Sequence, residues 1–411
     1  MSAVSEPNDA APESAQSPLG LWEAFSGKAV FAGLLASLAG FASSFAVVVQ
    51  GLKGVGASPA EAASGLMAVG FFMGLLTVIL SLQSRLPIKI AWSTPGAAFL
   101  ATSGVPEGGF TEAVGAFLVC AALIVVAGLW RPFGRAVAAI PAPLANAMLA
   151  GVLFGLCLAP VQAVAEMPVY GLMIVLTWVG VGYFNRLAAV PAAVLVTLGI
   201  VVWIVMQGGP GGEALAAASV FPRPVIVIPE FALASVIGIA IPLFIITMAS
   251  QNIPGMAVLH ANGYRPAPGP IFAMSGLFSA LSAPFGGHAV NLAAITAAMV
   301  ASEEGHPDPR RRYWAAVVSG GANIVVALFS GLVILFVTAA PPILIQAVAG
   351  LALIGAFAGA AHNALSDAEA RVPAAITFLA SASGITILGI GGAFWGLLAG
   401  GVLYLLMRAK S

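Results

Sequence analysis

The sequence predicts an all-α polytopic membrane protein built from two inverted repeats, seven plus seven, with 14 transmembrane segments, two of them a short strand plus a half-helix. Three observations lead there. Hydrophobic residues fill 60% of the 411 positions and charged residues only 7%, against roughly 25% charge in a soluble domain. Apolar stretches of about 20 residues, long enough to cross a hydrocarbon core, recur from Ala29 to Leu406. Lys and Arg collect in alternate gaps between them, as cytoplasmic loops require.

Residues 1–27 are expected to form a cytoplasmic tail. They carry Pro7, Pro12 and Pro18 with Glu6, Asp9 and Glu13, and lack the basic start and apolar run of a signal peptide. Leu19, Leu21, Trp22 and Phe25 suit an interfacial anchor before the first span, or a plain linker. The first repeat covers residues 28–207, with spans near 29–50, 60–84, 110–130, 138–159, 168–185 and 187–206. Residues 208–230 read as a periplasmic linker. The second repeat covers 231–411, with spans near 232–260, 268–283, 312–338, 341–362, 372–388 and 391–407. Between the second and third spans of each series lies a shorter, broken segment, 88–103 and 285–301.

Counting the broken segments as crossings puts both termini in the cytoplasm. Thirteen of the fifteen Lys and Arg residues then lie on the cytoplasmic side, Lys89 and the Arg310 to Arg312 run among them, leaving Lys53 and Arg223 outside. Dropping one crossing would scatter that asymmetry. An odd number of crossings per half inverts the second half relative to the first, the layout of inverted-repeat transporters. Gly56-Ala57-Ser58-Pro59 after the first span and Gly263-Tyr264-Arg265-Pro266 after the eighth are a faint trace of the repeat.

Composition also excludes classes. Cys120 and Cys157 sit in apolar runs, as small buried hydrophobes do, and the four histidines form no zinc-like cluster. No metal or cofactor is expected, and a net charge of zero opposes a nucleic-acid surface.

The chemistry is expected at the two broken segments. In Ile88-Lys89-Ile90-Ala91-Trp92-Ser93-Thr94-Pro95-Gly96-Ala97 the start reads as extended, Thr94 suits an N-cap and Pro95 the first helical turn. A half-helix then starts near the bilayer midplane, although a simple proline kink is the plainer alternative. Pro284-Phe285-Gly286-Gly287-His288-Ala289-Val290-Asn291 has the same form, glycines preceding a short small-residue helix. Inversion makes the two half-helix N-termini face one another, so an anion can be held by two dipole ends without a buried Lys or Arg.

Polar groups deep in the eighth span point the same way. Gln251 and Asn252 can hydrogen-bond a carboxylate or the backbone of a broken segment, or serve as helix-to-helix glue. His288 is the titratable side chain expected deep in the cavity, with Lys89 nearer its cytoplasmic mouth. It is the candidate proton carrier, or else a neutral histidine on a backbone carbonyl. Trp92, Phe99 and Phe285 can offer apolar faces to a ring. Glu303, Glu304, Asp308 and Arg310 to Arg312 read as a topological anchor in one loop.

Trp92-Ser93-Thr94-Pro95-Gly96-Ala97, Gln251-Asn252-Ile253-Pro254-Gly255 and Gly286-Gly287-His288-Ala289-Val290-Asn291 resemble the benzoate membrane transport protein (BenE) family over nearly the whole chain after residue 20. The resemblance implies a bacterial inner-membrane symporter, not an enzyme, importing benzoate or a related aromatic carboxylate with protons. That family is similar in turn to the uracil-permease and sulfate-transporter superfamily, which implies a core from segments 1–4 and 8–11, a gate from segments 5–7 and 12–14, and a homodimer through the gates. Relatives with uracil-type substrates carry carboxylates where Gln251 or Asn252 and His288 stand here, and neutral amides suit an anionic substrate better. The substrate-binding set implied is Trp92, Ser93, Thr94, Pro95, Gly96, Ala97, Gln251, Asn252, Gly286, Gly287, His288 and Asn291, with proton coupling at His288.

Rivals on the same fold are a nucleobase permease, which the missing carboxylates oppose, and an inorganic-anion permease. An intramembrane hydrolase lacks a Gly-x-Ser-x-Gly nucleophile beside a matching partner. An ion channel would conduct far faster than alternating access allows.

Overall fold

A computed structural model describes residues 22–208, 220–388 and 390–409. The expected tail up to residue 21, with Leu19 and Leu21, and linker residues 209–219 lie outside the described residues. Trp22 is exposed, whereas Phe25 packs edge-on against Trp314 at 5.7 Å.

The first half opens with α1 (Gly27–Gly54) and α2 (Pro59–Ser84). A reciprocal cap starts α2: Glu61 N–H donates to Ser58 Oγ at 3.3 Å and Ser58 N–H to Glu61 Oε2 at 2.8 Å, with Pro59 at a position whose N–H has no helical partner. The first broken segment is β1 (Ile90–Trp92) followed by α3 (Thr94–Ser103). Next come α4 (Phe110–Leu129), a short α5 (Arg131–Ala138), α6 (Ala142–Glu166), α7 (Pro168–Phe184) and α8 (Arg186–Met206). Helix α5 was not expected, and it moves the next span from 138 to 142. Its Phe133 stacks on Phe244 at 5.9 Å, a contact between halves that no local pattern announces.

The second half begins with α9 (Leu233–Ala261), which contains two wide π turns, Val236–Ala240 and Met248–Asn252. Each lies just before a proline, Pro242 or Pro254, whose ring would strike the carbonyl four residues back in a regular helix. A wider turn relieves that clash. Then follow α10 (Pro268–Ser282), β2 (Val290–Leu292), α11 (Ile295–Ala301), α12 (Arg312–Leu328), α13 (Ser330–Ala339), α14 (Pro342–Leu365), α15 (Arg371–Ala382) and α16 (Gly392–Arg408).

Two expected spans differ. The run 312–338 is bent by 54° between α12 and α13. The run 372–388 is helical only to Ala382, roughly 18 Å of rise against the ~30 Å hydrocarbon core. Its remainder forms a hairpin of β3 (Thr386–Ile387) and β4 (Ile390–Gly391). Seven described helices are long and apolar enough to cross a membrane, and the bent pair makes an eighth. The shorter α7, α15 and α16 are apolar but fall below that length.

Packing repeats with the halves exchanged: α2 lies on α12 and α4 on α10, α7 pairs with α8 as α15 does with α16, and α6 lies on its counterpart α14. The first two contacts use the same device. A Cβ on Gly74 would come within 2.6 Å of the Gly320 carbonyl, and one on Gly128 within 2.6 Å of the Gly269 carbonyl, so these backbones approach as only small residues allow.

The two broken segments meet at the centre. Strands β1 and β2 pair antiparallel with Ile90 opposite Leu292, Ala91 opposite Asn291 and Trp92 opposite Val290. Ser93 N–H to Ala289 O at 3.0 Å and Ala293 N–H to Lys89 O at 2.9 Å extend the ladder at both ends. In lipid, unpaired backbone groups are costly, and this ladder satisfies them inside the protein.

Leu172, Leu176, Val179, Leu195, Val202 and Trp203 on α7 and α8 are exposed, the lipid-facing surface a spanning bundle needs. At one end of the bundle, the buried Arg312 guanidinium donates to the carbonyls of His306, Ala301 and Pro307 at 2.7, 3.0 and 3.4 Å. It closes the loop 302–311. There the Arg310 side chain, at 3.1 Å, holds the Asp308 carboxyl below the usual carboxylate range.

Candidate functional site

Ser93, not Thr94, caps the first half-helix. Its Oγ accepts from Gly96 N–H at 3.1 Å and lies 2.9 Å from Thr247 Oγ1 on α9. Ala97 N–H donates to Ser93 O at 2.7 Å, and Pro95 has no N–H. This half-helix therefore keeps few free donors for an anion, fewer than the dipole argument assumed. The second half-helix also departs from expectation. Gly286 (φ 83°) turns a 3-10 turn, Ala283–Phe285, into the extended chain of β2, and α11 starts only at Ile295.

The π turn Met248–Asn252 sets two amides on different tasks. Asn252, fully buried, accepts from Leu292 N–H at 2.9 Å and so braces β2. Gln251 points into a cavity of about 130 Å³.

That cavity lies where α1, β1, the first turns of α3 and α11, the Gln251 turn, α12 and α14 converge. One side is apolar. Phe41 meets Trp92 edge-on at 5.2 Å, with Met73, Pro95 and Leu353 beside them. Trp92 is fixed by Nε1–H donating to Ser44 Oγ at 2.9 Å. The other side is polar. Ser37 Oγ donates to Asn323 Oδ1 at 2.6 Å, and Lys89 Nζ donates to Ser319 Oγ at 2.6 Å. Lys89 is 2% exposed and lines the cavity.

Of the residues expected at the site, Trp92, Thr94, Pro95 and Gln251 line the cavity. Ser93, Gly96, Ala97, Asn252 and Asn291 stand behind its wall: a Cβ on Gly96 would meet Leu243 at 2.6 Å, and the Ala97 carbonyl touches Gly51. Gly286, Gly287 and His288 lie apart. A Cβ on Gly65 would come within 2.5 Å of the Gly286 carbonyl, and one on Gly287 would meet Ser282 and Val69 at 2.9 Å. His288 is fully buried, with Nδ1 3.1 Å from Ala289 O and Nε2 unpartnered. It does not line the cavity, contrary to the expectation that it would be the titratable group there. Lys89 is that group, buried in the cavity wall.

Ser37, Ser44, Ser319, Asn323 and Phe41 are lining or supporting residues that no motif marked. Their spacing carried a signal. Ser319 and Asn323 are four apart on α12, and Ser37 and Ser44 seven apart on α1, one polar stripe on each helix.

The family model described as benzoate membrane transport protein matches residues 23–406. The chain is 40% identical over 387 residues to the inner membrane protein YdcO of Escherichia coli (strain K12), covering 92% of this chain and 95% of that one. It is 29% identical over 390 residues to the benzoate membrane transport protein of Acinetobacter baylyi, covering 93% and 96%. Among solved structures, it matches SLC26A9 with a TM-score of 0.61 at 12% identity, covering 92% of this chain and 65% of that one. It matches the transmembrane domain of the cyanobacterial bicarbonate transporter BicA with a TM-score of 0.53 at 15% identity, covering 93% and 97%. These two likenesses place the chain in the same inverted-repeat fold.

Proposed function

The chain belongs to the benzoate membrane transport protein family, and from that premise we propose that it imports benzoate or a close aromatic carboxylate together with protons. The observation that carries this reading is a cavity of about 130 Å³ with an aromatic side, Phe41 and Trp92, and a polar side that includes Lys89, Gln251 and Asn323. An apolar cavity of about 150 Å³ can hold a benzene ring. A ring bearing one carboxylate needs that much apolar wall and a polar end, whereas a small inorganic anion has no use for the wall.

The cavity has α14 on one side and the broken segments with α1, α9 and α12 on the other. Alternating access then follows if α6–α8 and α14–α16 act as a gate against a core of α1–α4 and α9–α13. Both termini are assigned to the cytoplasm of the inner membrane. With Lys89 withdrawn into the bundle, the remaining Lys and Arg asymmetry still favours that orientation. His288 lies apart from the cavity, so in this reading another group carries the proton.

The test is uptake of labelled benzoate into proteoliposomes with and without an inward proton gradient, against unlabelled uracil and sulfate. Gradient-stimulated uptake that only aromatic carboxylates inhibit is expected. Absence of benzoate uptake, or inhibition by uracil or sulfate, overturns the substrate and leaves the fold.

A further inference from the structure

We propose that Lys89 is both the cation that receives the substrate carboxylate and the group that carries the coupled proton; this rests on the transport reading above. Its ammonium has three donors, and the structure gives it one protein acceptor, Ser319 Oγ at 2.6 Å. The side chain is buried yet borders the cavity, so its remaining donors can serve only what enters there.

The surroundings hold no counter-charge. Helices α1, α3, α9, α11, α12 and α14 and both strands contain neither Asp nor Glu, and the acid of α2, Glu61, caps the far end of that helix on Ser58. The other charged or titratable groups on these elements are committed or distant. Arg85 lies over the Tyr313 ring at 5.3 Å and donates to its hydroxyl at 3.0 Å. Arg312 binds loop carbonyls. Lys28 and Lys53 mark the ends of α1, and His260 and His362 stand in the last turns of α9 and α14. His288 sits at the opposite end of the strand ladder, beyond the Ser93 to Ala289 bond, whereas Lys89 pairs with Ala293.

An isolated ion is costly inside a membrane protein. A proton on Nζ and a carboxylate in the cavity each supply the charge the other lacks, so occupancy by one favours occupancy by the other. The lone pair of Nζ takes a proton from one side, the ammonium holds the carboxylate while the aromatic ring rests on Phe41 and Trp92, and proton and carboxylate leave together on the other side. The loaded site then crosses without net charge.

Benzoate binding to the purified full chain, in weakly buffered detergent solution with a pH dye, tests this. Wild type is expected to take up a proton for each benzoate bound. Lys89→Gln is expected to weaken binding on the order of 100-fold, the loss typical of removing one partner of a buried charge pair, and to take up no proton when filled at high benzoate. Lys89→Arg keeps the charge and cannot release its proton, so it is expected to bind benzoate without proton uptake. Gel filtration and thermal melting report folding, and if Lys89→Gln does not fold, Lys89→Arg decides. Proton uptake persisting in either variant, or wild-type affinity in Lys89→Gln, overturns the Lys89 assignment and leaves the transport reading standing. A folded wild type that binds no benzoate overturns both.

Discussion

Asn252 Oδ1 accepts the backbone N–H of Leu292 at 2.9 Å, tying the π turn of α9 to the strand that precedes the second half-helix. Asn252→Ala strands that N–H in a buried setting, a loss of about 1–3 kcal/mol. A lower melting temperature with reduced benzoate uptake is expected. An unchanged melting curve would show that the strand does not depend on this amide.

Ser93 and Thr94 should separate cleanly. Ser93→Ala removes the cap on Gly96 and the contact with Thr247, a cost of about 1 kcal/mol. Thr94→Ala should leave stability within a few tenths of wild type while altering benzoate affinity, because Thr94 lines the cavity. Equal destabilisation by both would put the cap back on Thr94.

His288→Gln should lower stability, because the imidazole fills a fully enclosed site. The pH dependence of uptake per folded molecule should match wild type, since the ring does not border the cavity. A flattened pH profile would return the proton to His288.

The loop 302–311 should loosen in two acid steps. Burial holds His306 below its ordinary 6.5, and neutral Nδ1 accepts Asp308 N–H at 3.0 Å. Protonation removes that acceptor, so this contribution, present above pH 6.5, is lost as pH falls through the lowered value. Asp308, lowered chiefly by its hydrogen bond from Arg310, contributes above about pH 4 and is lost further into acid. Hydrogen exchange across the loop reads both steps. His306→Ala should remove the first alone, and a single step in wild type would contradict the assignment.

Much of the architecture could be read before any coordinates. Thr94-Pro95-Gly96 and Gly286-Gly287 betrayed the two broken segments because a chain cannot interrupt a helix in lipid without turn residues to do so. Gln251 and Asn252 stood out as amides in an apolar run. The functional geometry was harder. Lys89 read as a cation near the cavity's cytoplasmic mouth because charge alone assigns Lys to membrane surfaces. Its burial depends on Ser319, 230 positions away, which no local window contains. His288 was misplaced for the complementary reason: its segment is extended before β2, and its ring is fully buried there, with Ser282 Oγ donating to its backbone carbonyl at 3.3 Å, a placement that helical spacing does not give. Helix α5 was missed because it is held by Phe133 stacking on Phe244, more than 100 positions away, and the hairpin after α15 because Trp395 Nε1–H holds the carbonyls of Ile387 and Ile390.

The strand pair at the centre also constrains how the molecule is made. Ile90 to Trp92 find their partners in Val290 to Leu292, which leave the ribosome only after most of the chain has been inserted. Until then β1 must wait with open backbone groups in a half-built bundle, sheltered by neighbouring helices or by insertion machinery. Assembly of the transport site is thus a late event in biogenesis, and truncation before residue 290 should yield inserted but proteolytically fragile helices.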